Sequence, residues 1–384
     1  MVKPKLIRIT TVPLSLEKLL EGQLAFMSEY FDVTAISSER ERLIKFAEKE
    51  GVDFFYLELT RKITPIKDLR AVIKLYKFLK REEPTIVHSH TPKAGLVAML
   101  ASFFARVPYR LHTVAGMPLL ETKGFKKRIL IYAEKLTYYC ATKVYPNSKG
   151  LRDIIIKEKI STPTKLKVIG NGSSNGIDTH YFDPNNYSEI FKKNKRKELA
   201  IPNQATVLLF VGRLVKDKGI VELVNAFENL KDITNETHLV LVGPFEENLD
   251  PLPSITIERI NLNPRIHVTG FREDVRPYFS IADLFVFPSY REGFPNVVMQ
   301  SGAMKVPAIV SDINGCNEII ESGVNGIIVP SKDSDALQDA IQLLLNNHTS
   351  IVKMKQQSRT IIQNKYERKE IWELLLAEYH SFLS

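Results

Sequence analysis

Two short segments hold residue types suited to an anionic, hydroxyl-bearing ligand. The first is Gly212-Arg213-Leu214-Val215-Lys216-Asp217-Lys218-Gly219, which follows a β-branched run and precedes a helical pattern from Ile220 to Leu230. A planar guanidinium and a nearby ammonium suit a diphosphate, since each charge-assisted hydrogen bond contributes roughly 1.5–3 kcal/mol. A solvated basic loop ahead of a helix would read the same way. The second is Ser289-Tyr290-Arg291-Glu292-Gly293-Phe294-Pro295-Asn296-Val297-Val298-Met299-Gln300, directly after the apolar run Leu284 to Pro288. Pro295 suits a first helical position, so the amides of Asn296 to Val298 are expected to be free to meet an anion. Glu292 ahead of that helix and Gln300 within it offer a carboxylate and an amide to ligand hydroxyls.

Other motifs are weaker. Gly170-Asn171-Gly172-Ser173-Ser174-Asn175-Gly176 is one residue off the dinucleotide fingerprint, and no helix continues from it, so it reads as a hinge. There is no G-x-x-x-x-G-K-[S/T] loop, which argues against an ATPase. His88 and His90 share one face of a strand, but no further ligand follows at metal spacing; a place at a strand-end ligand edge suits them better. His112 reads either as a strand-end core residue or as a ligand contact. Asp333-Ser334-Asp335 reads as the cap of a helix from Ala336 to Leu345 rather than a cation clamp.

These residues need a frame, and the chain supplies one by alternation. Strand-like runs Leu6–Thr10, Val33–Ser37, Phe54–Leu57, Thr85–Ser89, Arg110–Val114 and Lys143–Asn147 are separated by helical-period segments such as Pro65 to Arg81. After Ser15 as a cap, Leu16, Leu19, Leu20, Leu24 and Met27 read as one helix. The alternation breaks between about Val168 and Gln204, where Gly-rich and basic stretches (Lys192 to Lys197) read as a domain boundary. It restarts at Thr206–Gly212 and continues through Leu239–Gly243, Ile266–Gly270, Leu284–Pro288 and Ala308–Asp312. This predicts an α/β chain of two doubly wound parallel-sheet domains facing each other, with ligands at the carboxyl ends of strands. The boundaries read as 1–172 and 173–365, with a last helix in 366–384 crossing back to the first domain.

The 384 residues exceed one ordinary core, and 53 Lys and Arg against 44 Asp and Glu give +9, which favours acidic partners. Two cysteines, Cys140 and Cys316, make no disulfide framework and fit a reducing compartment. The N-terminus lacks a signal peptide's apolar core. The longest apolar stretch, Ala94 to Val107, is about 14 residues where a span needs roughly 20. The segment 121–149 interleaves Lys123, Lys126, Lys127, Arg128, Lys135, Lys143 and Lys149 with Phe125, Ile129, Leu130, Tyr132 and Leu136 against only Glu121 and Glu134. It reads as an anionic-membrane contact, or as a helix packing its apolar face on the sheet.

Taken together, Gly212-Arg213 with Lys218-Gly219, Glu292-Gly293-Phe294-Pro295-Asn296, and Ser311-Asp312-Ile313-Asn314-Gly315 with Glu318 resemble glycosyltransferase family 4. His88-Ser89-His90-Thr91-Pro92-Lys93-Ala94-Gly95 and Thr113-Val114-Ala115-Gly116 resemble its N-terminal signature. The resemblance implies a GT-B fold of two Rossmann-like domains around a central cleft: an N-terminal acceptor domain and a C-terminal nucleotide-sugar domain. It implies retaining transfer of a hexose or N-acetylhexosamine, from a UDP-linked donor, to a lipid-linked or polysaccharide acceptor in bacterial surface glycan synthesis. Arg213 and Lys218 would bind the donor diphosphate and Glu292 the donor sugar, with Gly212, Gly293, Phe294, Pro295, Asn296, Val297 and Gln300 around them. His90, His112 and Gly116 would lie on the acceptor side. No cofactor or metal is expected, the Arg213/Lys218 pair neutralising the leaving group instead. The expected place is the cytoplasm, peripheral on the inner face of the plasma membrane.

Two departures stand out: the family usually has glutamate at the place of Gln300, and many members have histidine at the place of Ala115. A non-catalytic nucleotide-sugar-binding protein and a nucleotide-sugar 2-epimerase of the same fold are the alternative readings, the Glu292-to-Asn296 motif opposing the latter. No nucleic-acid-binding motif is present.

Overall fold

A computed structural model describes residues 3–60, 62, 64–117, 124–230, 236–246 and 250–383, apart from the side chain of Lys126. Among these, twelve strands form two six-stranded parallel sheets, each in its own compact unit. The first unit comprises 1–175 and 369–384, and the second 176–368, so the boundary falls at Asn175/Gly176 and the chain returns to the first unit at Lys369.

In the first unit the strands are β1 Lys5–Ile9, β2 Asp32–Ser37, β3 Asp53–Tyr56, β4 Ile86–His90, β5 Tyr109–Val114 and β6 Lys143–Pro146. They lie in the order β3-β2-β1-β4-β5-β6. In the second they are β7 Thr206–Val211, β8 Thr237–Val242, β9 Ile266–Gly270, β10 Leu284–Phe287, β11 Ala308–Ser311 and β12 Gly326–Val329, in the order β12-β11-β10-β7-β8-β9. The two orders are the same doubly wound arrangement, which reverses direction at β1/β4 and at β7/β10. Central strands are buried on both faces, as in β4, β8, β10 and β11; β8, β10 and β11 accordingly read as largely apolar runs, whereas β4 buries His88, Ser89 and His90 beside Ile86 and Val87.

The first sheet separates two cores. Ile7 and Ile9 point to one, shared with helices Pro65–Glu82, Pro92–Ala105 and Gly124–Cys140. Leu6 points to the other, shared with Leu16, Leu43, Phe46 and Tyr379 of the last helix, Arg368–His380. The second sheet is wrapped by a single large core that includes Phe210, Phe285, Val298 and Tyr366.

Three sequence expectations need correction. The single helix expected after Ser15 is two, Pro13–Leu19 and Gln23–Ser28, broken at Gly22. Gly22 has φ 74°, and a Cβ there would lie 2.8 Å from the Trp372 ring, so the break admits the only tryptophan. The basic stretch Lys192 to Lys197 is no linker. It lies in helix Glu189–Glu198, started by the Ser188 hydroxyl accepting from Phe191 N–H. Third, Pro295 is the residue capping helix Asn296–Ala303 rather than its first residue, and its carbonyl accepts from Val298 N–H at 3.1 Å. The Val298 amide is therefore engaged within the turn.

Candidate functional site

The strongest cluster lies in the second unit, at the carboxyl ends of β7 and β10, the neighbours flanking the switch point. After β7 the chain turns through Gly212 and Arg213 into a short 3-10 turn, Lys216–Lys218, closed by Gly219. Gly219 has φ 70°, and a Cβ there would lie 2.8 Å from the Pro288 carbonyl carbon. Only glycine lets the β7 loop press against the end of β10. Tyr290 N–H donates to Asp217 C=O at 2.9 Å and Arg291 Nη2 to Asp217 Oδ2 at 2.9 Å, locking the two loops together.

This contact delivers Lys218 Nζ to Glu292 Oε1. Both side chains are largely buried, with 16% and 17% exposure. Ser289 Oγ donates to the same Glu292 oxygen at 3.0 Å, and the ammonium also stands 5.7 Å from the Phe287 ring centre. Arg213 is more exposed and reaches a different carboxylate, Glu246, in the loop after β8. The two candidate cations are thus each held on a separate acid.

The Glu292–Phe294 turn is braced from β11. Asn314 Nδ2 donates to the Glu292 carbonyl and, at 3.3 Å, to that of Gly293. Gly315, at φ 78°, lies where a Cβ would be 2.5 Å from the Gly293 oxygen. The Ser311-to-Gly315 motif therefore positions the glutamate's backbone. Phe294 turns inward, its ring 5.4 Å from that of Tyr366, so only its main chain remains for a ligand. Val297 packs partly on the same core. Gln300 Oε1 is buried and, among the described residues, has no hydrogen-bond partner. The Cys316 thiol is pushed well up by burial and then by the Glu292 charge, so it stays protonated and unreactive.

In the first unit the structure gives the histidines clear places. His112 is buried on the face toward helix Pro92–Ala105: Nδ1 lies 2.9 Å from Ser89 Oγ, and its ring occupies the space that a Cβ on Gly95 would need. This is the packing alternative; its pKa is lowered to about 4, by burial above all. Gly116 is half-buried, and a Cβ there would meet nothing within 4 Å. His88 and His90 stack at 4.5 Å on the opposite face, within a network invisible to sequence reasoning. Arg8, fully buried, donates through Nη2 to Gln23 Oε1 at 2.6 Å and lies 3.0 Å from His90 Nε2; through Nη1 it donates to Tyr379 Oη at 3.1 Å.

A guanidinium is always a donor, so His90 Nε2 must accept and His90 Nδ1 must carry the proton. Tyr379 Oη, already accepting from Arg8, passes its own hydrogen to His88 Nδ1 at 2.5 Å, which leaves His88 Nε2–H for Thr113 Oγ1 at 2.7 Å. Burial, reinforced by Arg8, keeps both histidines neutral, with pKa values well below 6.5. Thr91, between β4 and its helix, is held at φ 74° with its hydroxyl 2.8 Å from that of Thr11. Among the described residues no group of three His, Cys, Asp or Glu side chains could hold a metal ion. The Asp333 side chain caps helix Ser334–Leu345.

The profile of the family "Glycosyl transferases group 1" matches residues 191–367, and that of the "Glycosyl transferase 4-like domain" matches residues 26–172. The chain is 31% identical to the capsular polysaccharide biosynthesis glycosyltransferase CapM of Staphylococcus aureus, covering 100% of this chain and 98% of that protein. The chain belongs to the group 1 glycosyltransferases. This glycosyltransferase is also 30% identical to the UDP-Gal:alpha-D-GlcNAc-diphosphoundecaprenol alpha-1,3-galactosyltransferase of Escherichia coli, over 82% of this chain and 80% of that one. Its fold is GT-B. The crystal structure of Anabaena Alr3699/HepE in complex with UDP and glucose superimposes with a TM-score of 0.81 at 19% identity, over 98% of this chain and 100% of that one. The Lys218–Glu292 cluster lies within the group 1 match; His88 and His90 lie within the 4-like match, while their network partners Arg8 and Gln23 precede it and Tyr379 belongs to the last helix.

Proposed function

We propose that this glycosyltransferase transfers a hexosyl or N-acetylhexosaminyl group, with retention, from a UDP-linked sugar to a lipid-linked or polysaccharide acceptor in bacterial surface glycan synthesis. It would work in the cytoplasm, peripheral on the inner face of the plasma membrane. The observation that carries the reading is the Lys218–Glu292 pair at the β7/β10 switch point, in a chain similar end to end to a capsule glycosyltransferase. Similarity to an enzyme named for UDP-Gal and a diphosphoundecaprenol acceptor supports the nucleotide and the lipid-linked class.

In this reading the donor diphosphate is held by Arg213 and Lys218, whose charges stabilise the negative charge that grows as the sugar departs. Glu292, fixed by Ser289 and Asn314, meets the sugar hydroxyls. The backbone from Gly293 to Val297 and the amide of Gln300 complete the donor site. We assign no carboxylate as a covalent nucleophile; the acceptor attacks on the face the diphosphate leaves, and the diphosphate takes the acceptor's proton. The histidine face of the first unit and Gly116 are assigned to the acceptor side; the contacts of His112 with Ser89 and Gly95 support a packing role for that residue instead.

The test incubates the protein with UDP-, GDP- and dTDP-sugars, with and without a bacterial lipid extract, and follows released nucleoside diphosphate. Release needing one donor and the extract supports the reading. UDP binding without release favours a non-catalytic binding protein, and free sugar without acceptor favours a 2-epimerase. Arg213→Ala should lower turnover about 100-fold or more, the scale for removing one charge-stabilising donor. Near wild-type rates in that variant, with an unchanged melt, would remove Arg213 from the diphosphate site.

A further inference from the structure

Helices Pro65–Glu82, Pro92–Ala105 and Gly124–Cys140 form one layer on the first sheet, with Pro92–Ala105 packed against both others. A helix covering a sheet normally buries its apolar stripe and exposes its polar face. The two outer helices of this layer each carry a second apolar stripe facing outward. On Pro65–Glu82 it is Ile66, Leu69, Ile73 and Tyr76, and on Gly124–Cys140 it is Phe125, Ile129, Tyr132, Leu136 and Tyr139. Both run at spacings of three and four, and exposure reaches 71% at Ile66, 77% at Phe125 and 72% at Tyr132. Exposed Phe103 and Phe104 end the middle helix, with the Phe103 ring 6.2 Å from that of Tyr139.

Charge on this layer is one-sided. Among the described side chains, every exposed charged residue within the three helices is Lys or Arg, including Arg70, Lys77 and Lys80 on the first and Arg128 and Lys135 on the third. Their acids are turned away: Asp68 pairs with Lys93, Glu82 with Lys5, and Glu134 is buried. Helix Arg40–Glu50, on the other side of the same sheet, differs. It exposes Glu41 and Glu48 beside Arg40 and Lys45, and no large apolar side chain. Glu121 and Lys123 of the basic segment lie outside the described residues.

We propose that this three-helix face docks flat on an anionic lipid bilayer. Its aromatic and aliphatic side chains enter the headgroup region, and its lysines and arginines meet lipid phosphates. No helix among the described residues is long and apolar enough to cross a membrane, so the contact is interfacial. A second copy is a poor occupant, because a two-fold interface would set this all-basic face against itself. Nucleic acid would leave Ile66, Leu69, Ile73 and Leu136 without a role. The inference gives a surface to the membrane-side reading above, but vesicle binding needs neither donor nor acceptor, so the two can fail separately.

The experiment is flotation of the full chain with vesicles of phosphatidylcholine, with and without phosphatidylglycerol. Wild type should bind the anionic vesicles only, and less as salt rises. Arg128→Glu/Lys135→Glu should weaken partitioning roughly tenfold or more, Phe125→Ser/Tyr132→Ser should also weaken it, and Arg40→Glu/Lys45→Glu should not. Each altered side chain is exposed, and matching melting curves confirm that the variants are folded. Failure to bind anionic vesicles, or equal binding by all variants, overturns the proposal. So does self-association lost only in Phe125→Ser/Tyr132→Ser, which would mean that a second copy covers the face, or tighter binding to RNA than to vesicles.

Discussion

Replacing Glu134 by glutamine should stabilise the first unit at pH 8 and do almost nothing at pH 4.5. Glu134 points inward from helix Gly124–Cys140 with 8% exposure, and burial raises its carboxyl pKa from 4.5 to about 7, the Tyr138 hydroxyl offsetting part of the effect. Between those values the folded protein keeps a proton that the unfolded chain releases, so this group's contribution to stability falls as pH rises. The loss is complete above pH 7. At 1.36 kcal/mol per unit it amounts to about 3 kcal/mol. Glutamine cannot ionise, so it removes the loss.

The buried histidines act in the opposite sense. Their lowered pKa values make stability fall as pH drops below 6.5, for His112 down to about 4. They are common to both proteins and cancel in the comparison. Urea unfolding followed by Trp372, the single tryptophan and a member of this unit, reads the difference directly. A gap between Glu134→Gln and wild type that stays constant from pH 5 to pH 8, or is wider at pH 5, would refute burial as the cause.

Two further outcomes concern the second unit. Gly219→Ala should cost more than the roughly 1–2 kcal/mol of a left-handed alanine, because the methyl would strike the Pro288 carbonyl. Gly270→Ala, at the same φ of 70° with nothing within 4 Å of the added Cβ, is the control. Equal melting temperatures in the two would deny the packing argument. Gln300→Glu should tighten UDP roughly fivefold by calorimetry, since a charged acceptor adds about 1 kcal/mol over a neutral one; unchanged or weaker binding would place Gln300 outside the nucleotide site.

β1 through β11 all correspond to β-branched or aromatic runs visible in the chain, including the edge strands β3 and β9, which bury little. β12, Gly326–Val329, is not marked off in the sequence because the helix before it, Cys316–Ile319, is a single turn with no periodicity to separate the strand from its neighbours. Helix Glu189–Glu198 was missed for the converse reason. It buries no side chain, so there is no apolar period. Its geometry instead rests on the Ser188 cap and on Arg196 reaching the Ala205 carbonyl at 2.6 Å, contacts that only the folded chain supplies.

The site divides along the same line. Lys218 and Glu292 were legible because each follows a strand, and the doubly wound order makes those strands neighbours. Arg8 was not. Flanked by Ile7 and Ile9, it looks like an edge residue until the sheet order sets β1 between β2 and β4, opposite His88, with Tyr379 arriving from the far end of the chain. Helix Gly124–Cys140 shows the deeper limit. Its apolar stripe is readable from spacing alone, but a stripe facing in and a stripe facing out have the same spacing. What sets its direction is the neighbour: helix Pro92–Ala105 presents Ala94, Gly95, Ala98, Ala101 and Ala105 among its buried positions. The side of the third helix that carries Thr137, Tyr138 and Cys140 is buried with them, while Phe125, Ile129, Tyr132, Leu136 and Tyr139 remain outside. Glu134 shares the buried side, so the same packing that turns the aromatic stripe outward also removes the helix's carboxylate from the exposed basic face.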